Sequence, residues 1–259
     1  MLPKTPTSWN KEALWYKELL DDPESYQRQV IWPNLKRLLN ITSHDQVLDV
    51  ASGHGFFAFE MAKLGAAVLG IDVAPHSISL ARKNTPPKLK PHLQFEVMEA
   101  TKMSSIKSSS KNIITCILAI QNIDQVPQVF KEVRRIVTNS GSLHLVLTHP
   151  AFRIPQHTDW GWDDDKKIQY RRIDRYLSEA KIKIKMHPGK DTRAFTWTFH
   201  RPLQYYSKTL RNNGFLIHTL EEWTSHRKSQ SGPRSKAENQ AREEIPLFLY
   251  VKAIPFSSA

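Results

Sequence analysis

The chain has 259 residues, of which 40% are hydrophobic, 10% aromatic and 24% charged, a globular balance that excludes a largely disordered chain. Its 9 glycines exclude collagen-like or glycine-linker architectures, and its single cysteine, Cys116, excludes a disulfide scaffold, a four-cysteine zinc site and a cysteine-ligated iron–sulfur cluster. The formal charge of +12 accumulates after residue 100 without a lysine tail or a tight basic helix, so it permits an acidic partner without naming one.

Residues 1–45 read as amphipathic helices, because Leu14, Trp15, Leu19 and Leu20, and again Val30, Leu35, Leu38 and Leu39, recur near helical spacing. Asp22-Pro23-Glu24 predicts a break, and Pro33 the start or kink of the next helix. From residue 47 the period changes. Val47–Val50 and Ala67–Asp72 read as buried strands, each followed by a helix, over Phe56–Lys63 and Pro75–Lys83. Further strands are predicted at Leu93–Met98, Ile113–Ile117 and Leu143–Thr148. A helix over Val126–Val137 is expected to end in a left-handed turn at Asn139-Ser140-Gly141. This alternation implies a parallel sheet covered on both faces. Between Pro150 and His200 the pattern is aromatic and charged. A short helix over Arg171–Leu177 and an exposed strand over Lys181–Lys185 are expected there, with Asp163-Asp164-Asp165 as a solvated helix start. A helix at Leu203–Arg211, an ending at Gly214 and a strand at Phe215–Trp223 follow. Then come a polar stretch with a turn at Gly232-Pro233 and a last strand at Leu247–Ile254. No apolar run approaches the ~20 residues that span a bilayer, and the first residues, MLPKTPTSWNKE, hold no apolar core of signal-peptide length. The expectation is a cytoplasmic protein without a membrane partner.

The strongest motif is Val47-Leu48-Asp49-Val50-Ala51-Ser52-Gly53-His54-Gly55, a strand running into a glycine turn and a helix. Gly53 and Gly55 allow backbone to approach a ligand, and Asp72, at the end of the next strand, can accept both hydroxyls of a ribose. A dinucleotide site would want a third glycine, which Ala58 replaces. Asp49 would repel a pyrophosphate but suits a ligand's ammonium, which favours S-adenosylmethionine over NAD. The competing role for Asp49 is to tie the turn through backbone hydrogen bonds. No Glu-x-x-His or His-x-His pair has metal-site spacing, so no metal is expected.

On these residues the chain resembles the class I S-adenosylmethionine-dependent methyltransferases, in particular the small-molecule and quinone-type group, over residues 40–150. Alanine stands where the family's loop has its first glycine. The resemblance implies a doubly wound, Rossmann-like seven-stranded α/β sheet, mostly parallel with an antiparallel last strand, with N-terminal helices and an insertion after strand five. It divides the chain into a helical cap (1–45), the cofactor-binding half (46–149), a substrate-side insertion (150–200) and a C-terminal part of the same domain (201–259). Cofactor residues then fall on Asp49, Ala51, Gly53, Gly55, Asp72, Val73, Glu99, Ala100 and Gln121, where Glu99 replaces a more usual aspartate. His149-Pro150 and His200-Arg201-Pro202 also resemble members of this group.

His149, at the end of strand five, is the first candidate general base and His200 the second. The competing role for His149 is to order the Pro150 turn. Tyr16, Trp160 and Arg201 are the candidate substrate contacts, with Trp160, Trp162, Phe152 and Tyr170 forming either an apolar wall for a ring-bearing acceptor or glue between insertion and sheet. The expected reaction is methyl transfer to oxygen or nitrogen of a small cyclic metabolite, by a monomer or homodimer. Methylation of RNA or a ribosomal component is the less favoured alternative, since no Asn/Asp-Pro-Pro-aromatic motif follows strand four. An inactive cofactor-binding partner subunit is the third.

Overall fold

The computed structural model describes residues 22–187 and 191–256. The helix expected around Leu14–Leu20, and with it Tyr16, lies outside the described residues. In chain order the strands are β1 Gln46–Val50, β2 Ala67–Asp72, β3 Leu93–Val97, β4 Lys111–Ile117, β5 Val137–Thr148, β6 Thr158–Asp163, β7 Ile168–Ile173, β8 Ala180–His187, β9 Asp191–His200, β10 Phe215–Trp223 and β11 Phe248–Pro255. The α-helices are α1 Trp32–Leu39, α2 Phe56–Lys63, α3 Pro75–Asn84, α4 Val126–Ile136, α5 Leu203–Asn212 and α6 Ser235–Glu244. Pro33 lies where α1 takes over from a π-helical stretch, Gln27–Ile31, and Asn40 closes that helix at φ 45°.

Seven strands make one sheet in the order β3-β2-β1-β4-β5-β11-β10. β11 runs antiparallel to both neighbours and the remaining pairs are parallel, as the doubly wound reading requires. Side-chain alternation sends residues to two cores. Leu48, Val50, Leu143, Leu145, Leu249 and Val251 pack with Phe130 of α4 and Leu210 of α5. Val47, Val68, Val146 and Tyr250 pack on the other face with α1, α2 and α3. Each large apolar side chain fully buried this way contributes about 1.5–3 kcal/mol. Gly70 of β2 pairs with Phe95 of β3, and a Cβ there would lie 2.6 Å from the Phe95 ring, so glycine leaves room for that ring.

Three expectations need correction. α4 stops at Ile136, because Val137 turns extended (φ −68°, ψ 140°) and starts β5 by pairing with Lys111. Asn139-Ser140-Gly141 therefore lies inside β5 and is no left-handed helix end. Gly141 is instead required for space, since a Cβ would sit 2.7 Å from the Asn112 carbonyl oxygen. The insertion is two hairpins, β6–β7 and β8–β9, so Arg171–Leu177 forms no helix. Asp163 Oδ1 accepts from the Asp165 and Lys166 amides in the turn of the first hairpin, which is where the acidic run belongs. Within the polar stretch Ser225–Arg242, α6 begins at Ser235; it buries only Ala241, too little apolar periodicity to be visible in the sequence. Among the described residues no helix is long and apolar enough to cross a membrane.

Candidate active site

A cavity of about 330 Å³ opens beyond the carboxyl ends of β1, β2 and β4, where the strand order reverses. Its polar floor comes from three strand ends. Asp49 of β1 pairs in register with Thr115 of β4, and both point to the same face. Thr115 Oγ1 donates to Asp49 Oδ1 at 2.7 Å, while Asp49 Oδ2 is buried without a hydrogen-bond partner. Burial pushes the Asp49 carboxyl up to about 7. The Thr115 hydrogen bond opposes the rise, and the neighbouring Asp72 charge adds to it. Asp72, one strand over, accepts from the Gly53 amide on Oδ2 at 2.9 Å and from the Ala74 amide on Oδ1 at 2.8 Å. Burial raises its carboxyl too, against the pull of those two amides. Among the described residues neither aspartate has a Lys or Arg partner.

The glycine turn fits between them. Gly53 has φ +57° and nothing within 4 Å of where a Cβ would project, so its open side belongs to whatever enters. Ala51, at the position of the missing glycine, holds φ 56°, a left-handed conformation that costs an L-residue about 1–2 kcal/mol. Leu118, just past β4, holds φ 54° on the cavity wall as well. Strained backbone at two places on one wall is the pattern of a site shaped for a ligand.

The structure brings Asp49, Ala51, Gly53, Asp72, Val73, Glu99 and Ala100 together around this cavity. Two other residues named from the sequence do not line it. Gly55 has φ +92° at the start of α2, where a Cβ would lie 2.5 Å from the Phe95 ring, so it serves the turn and the core. Gln121 sits one place away from the lining residue Asn122, in a short 3₁₀ turn. Its carbonyl accepts from Thr198 Oγ1 at 3.3 Å and its buried Oε1 has no partner. His54, Phe56, Phe57, Leu118, Ala119 and Asp124, none of them a candidate from the sequence, supply further wall and rim. Only proximity to the glycine loop could have pointed to the two phenylalanines.

The candidate bases and substrate contacts lie elsewhere. His149 is buried, its Nε2 lies 2.7 Å from Glu222 Oε1, and its Nδ1 accepts from the Ala151 and Phe152 amides at 3.2 and 3.4 Å. Those amides fix the bare nitrogen on Nδ1 and the proton on Nε2, so the lone pair a base needs is turned to the backbone. Burial lowers its pKa, partly offset by Glu222. His149 orders the Pro150 turn. His200 donates from Nε2 to the Tyr176 carbonyl at 2.7 Å, outside the cavity. Arg201 is buried and donates to the Ile123 and Asp124 carbonyls at 3.0 and 2.7 Å, with its guanidinium over Phe199 and Tyr205. It therefore ties down the turn after β4, a cavity wall, and does not itself line the cavity. Trp160 packs against Arg153 and Arg171. Among the described residues none from 150–200 lines the cavity, so the insertion's aromatics make no wall there.

A family model described as a methyltransferase domain matches residues 48–145. A ubiquinone biosynthesis O-methyltransferase of Albidiferax ferrireducens is 29% identical over 96 residues, 37% of this chain and 38% of that protein. A demethylmenaquinone methyltransferase of Chlorobaculum parvum is 27% identical over 124 residues, 48% of this chain and 49% of its own. The match thus spans half or less of the length of these two relatives. A solved structure from Listeria monocytogenes, named as a presumptive S-adenosylmethionine-dependent methyltransferase, superposes with TM-score 0.68 at 25% identity, covering 87% of this chain and 98% of its own. The strand order, the glycine turn with its two acids, the matched domain and these likenesses agree: residues 48–145 form a methyltransferase domain, and the chain is similar in sequence and fold to S-adenosylmethionine-dependent methyltransferases.

Proposed function

We propose that this chain transfers the methyl group of S-adenosylmethionine to an oxygen or nitrogen of a small cyclic acceptor. The observation that carries this reading is the pair of cavity-lining acids at adjacent strand ends, one of them buried with an orphaned oxygen. The donor set suits the group. Asp49 Oδ2 wants a cationic donor, Gly53 leaves open space beside it, and each Asp72 oxygen that accepts one amide keeps capacity for a ribose hydroxyl. When bound, S-adenosylmethionine supplies an electrophilic methyl group.

The chain's own contribution is placement and exclusion of water. Asp72, locked by two amides, orients the nucleoside; Asp49 attracts the ammonium; Phe56, Phe57, Ile117 and Leu118 keep the cavity dry, which strengthens both charges. With His149 and His200 hydrogen-bonded elsewhere, our candidates for taking the acceptor's proton are the lining residues His54 and Asp124.

Calorimetric titration with S-adenosylhomocysteine, with NAD as control, tests the reading. Binding of the first alone, followed by methyl transfer to phenolic, quinol or amine acceptors, supports it; binding of NAD instead overturns it. His149→Ala is expected to cost about 1–3 kcal/mol of stability, because two amides and Glu222 lose their partner. In the same protein, affinity for S-adenosylhomocysteine stays within about twofold. Thermal melts beside the titration check this, and an affinity loss with an unchanged melt would return His149 to the site.

One observation favours the RNA reading. Outside the cavity, Lys181 lies over Trp197 and Phe199 and Lys183 over Phe195 on one face of β8–β9, a basic aromatic surface. Salt-sensitive retention on RNA, lost on Trp197→Ala, would promote it. Binding of S-adenosylhomocysteine without turnover on any acceptor would favour the partner-subunit reading.

A further inference from the structure

Away from the cavity, but on the same edge of the sheet, Arg153 lies just past the end of β5. Its backbone amide donates to the His149 carbonyl at 2.9 Å, which fixes where the side chain leaves the loop. Its guanidinium is half-buried against the Trp160 ring at 5.2 Å, and its Nε is buried without a hydrogen-bond partner. Among the described residues it has no carboxylate partner. What surrounds it makes matters worse. Arg171 lies against the same Trp160 ring at 5.1 Å, and Arg242 of α6 adds a third guanidinium close enough to be felt. Burial and these two like charges push Arg153 down to about 10, opposed only by the Tyr26 phenol.

The other two arginines are engaged. Arg171 donates to the Phe152 carbonyl and to Thr158 Oγ1, and Asp159 faces it; Arg242 donates to Ser229 Oγ. Glu222, the acid on His149, is committed there. A guanidinium withdrawn from water beside two more cations, with donors to spare, is costly unless an anion arrives to complete it. Guanidinium is also the side chain whose donor fork matches a carboxylate or phosphate in two parallel bonds. Arg201, the residue the sequence singled out for an anionic ligand, spends its fork on two carbonyls, and Arg153 is left with one.

We propose that Arg153, with Arg171 against the same indole and Arg242 on α6, which packs on β7, seats an oxyanion, a carboxylate or phosphate carried by the methyl acceptor. That the anion belongs to the acceptor rests on the methyl-transfer reading; that an anion binds here does not. β4 and β5 are neighbours, so an acceptor anchored past β5 reaches toward the cavity past β4.

The test titrates wild type and Arg153→Gln with benzoate and with inorganic phosphate at constant ionic strength, and measures S-adenosylhomocysteine affinity in parallel. Wild type is expected to bind at least one of the anions, and Arg153→Gln to bind it about 10-fold more weakly or worse. Benzoate binding points to a carboxylate on the acceptor, phosphate binding to a phosphorylated one. Without anion, Arg153→Gln is expected to melt no lower than wild type, an outcome a merely structural arginine would not give. Should it melt lower, Arg242→Gln asks the same question: weakened anion binding supports the site and unchanged binding overturns it. Failure of both anions to bind wild type, or equal binding by Arg153→Gln, overturns the inference. Absence of S-adenosylhomocysteine binding would strike the methyl-transfer reading and leave the anion result standing.

Discussion

Asp72→Ala is expected to weaken S-adenosylhomocysteine binding about 100-fold, the equivalent of about 3 kcal/mol. The size follows from what the side chain does on both of its sides. Facing the protein, its two oxygens hold the Gly53 and Ala74 amides at 2.9 and 2.8 Å, so the carboxylate cannot turn away from the cavity. Facing the ligand, each oxygen retains acceptor capacity, and hydrogen bonds to an ionised, desolvated acceptor are worth about twice those between neutral groups. Alanine removes the ligand bonds and frees the Gly53 amide, loosening the turn whose open side the ligand fills. Asp72→Asn separates the two losses: it keeps one acceptor oxygen and the shape of the turn, and is expected to fall between wild type and alanine. Calorimetric titration at constant pH checks both. An alanine variant within about threefold of wild type would mean that the cavity takes its ligand some other way.

The sheet and the glycine-turn wall of the cavity were legible because their signals are local. A strand, a glycine turn and a helix are contiguous in residues 46–63, and Asp72 simply ends the next strand. The surroundings of the residues named for an acceptor were not, because those residues are held by partners far away in sequence. His149 is taken by Glu222 from β10, 73 residues on, and Arg201 reaches back to carbonyls 123 and 124. Neither partner is visible from the motif around the residue it captures. The insertion misled for a different reason. On β8–β9, buried Ile182 and Thr196 alternate with outward Lys181, Lys183 and Trp197, and lysines lying over aromatic rings blur the hydrophobic alternation that marks a strand. Arg153 went unnoticed because an unpaired charge is a property of its surroundings, which the sequence does not order.

Asp49 carries the second large effect, and stability and binding oppose one another in it. Its folded pKa stands at about 7, against an ordinary carboxyl near 3.8, because burial outweighs the Thr115 hydrogen bond. For an acid raised on folding, the stabilising contribution is complete below the unfolded value and is lost as pH rises toward the folded one. Wild type without ligand is therefore expected to lose stability through Asp49 between about pH 4 and pH 7, by roughly 4 kcal/mol at most, and to lose no more from this group above that. Asp49→Asn removes the titration, so its stability profile should be flatter over this window and lie above wild type at pH 8.

The same variant should bind S-adenosylhomocysteine more weakly, since in the proposed reading the orphaned Asp49 oxygen is the one that meets an ammonium. Binding below pH 7 should then drive Asp49 to its charged form and release a proton. Titrations at pH 6 in two buffers of different ionisation enthalpy measure that proton directly, and the Asn variant subtracts every other titrating group. If the two buffers give the same heat and the variant binds as tightly as wild type, Asp49 only ties the turn, and the ammonium must be held by backbone carbonyls at the strand ends.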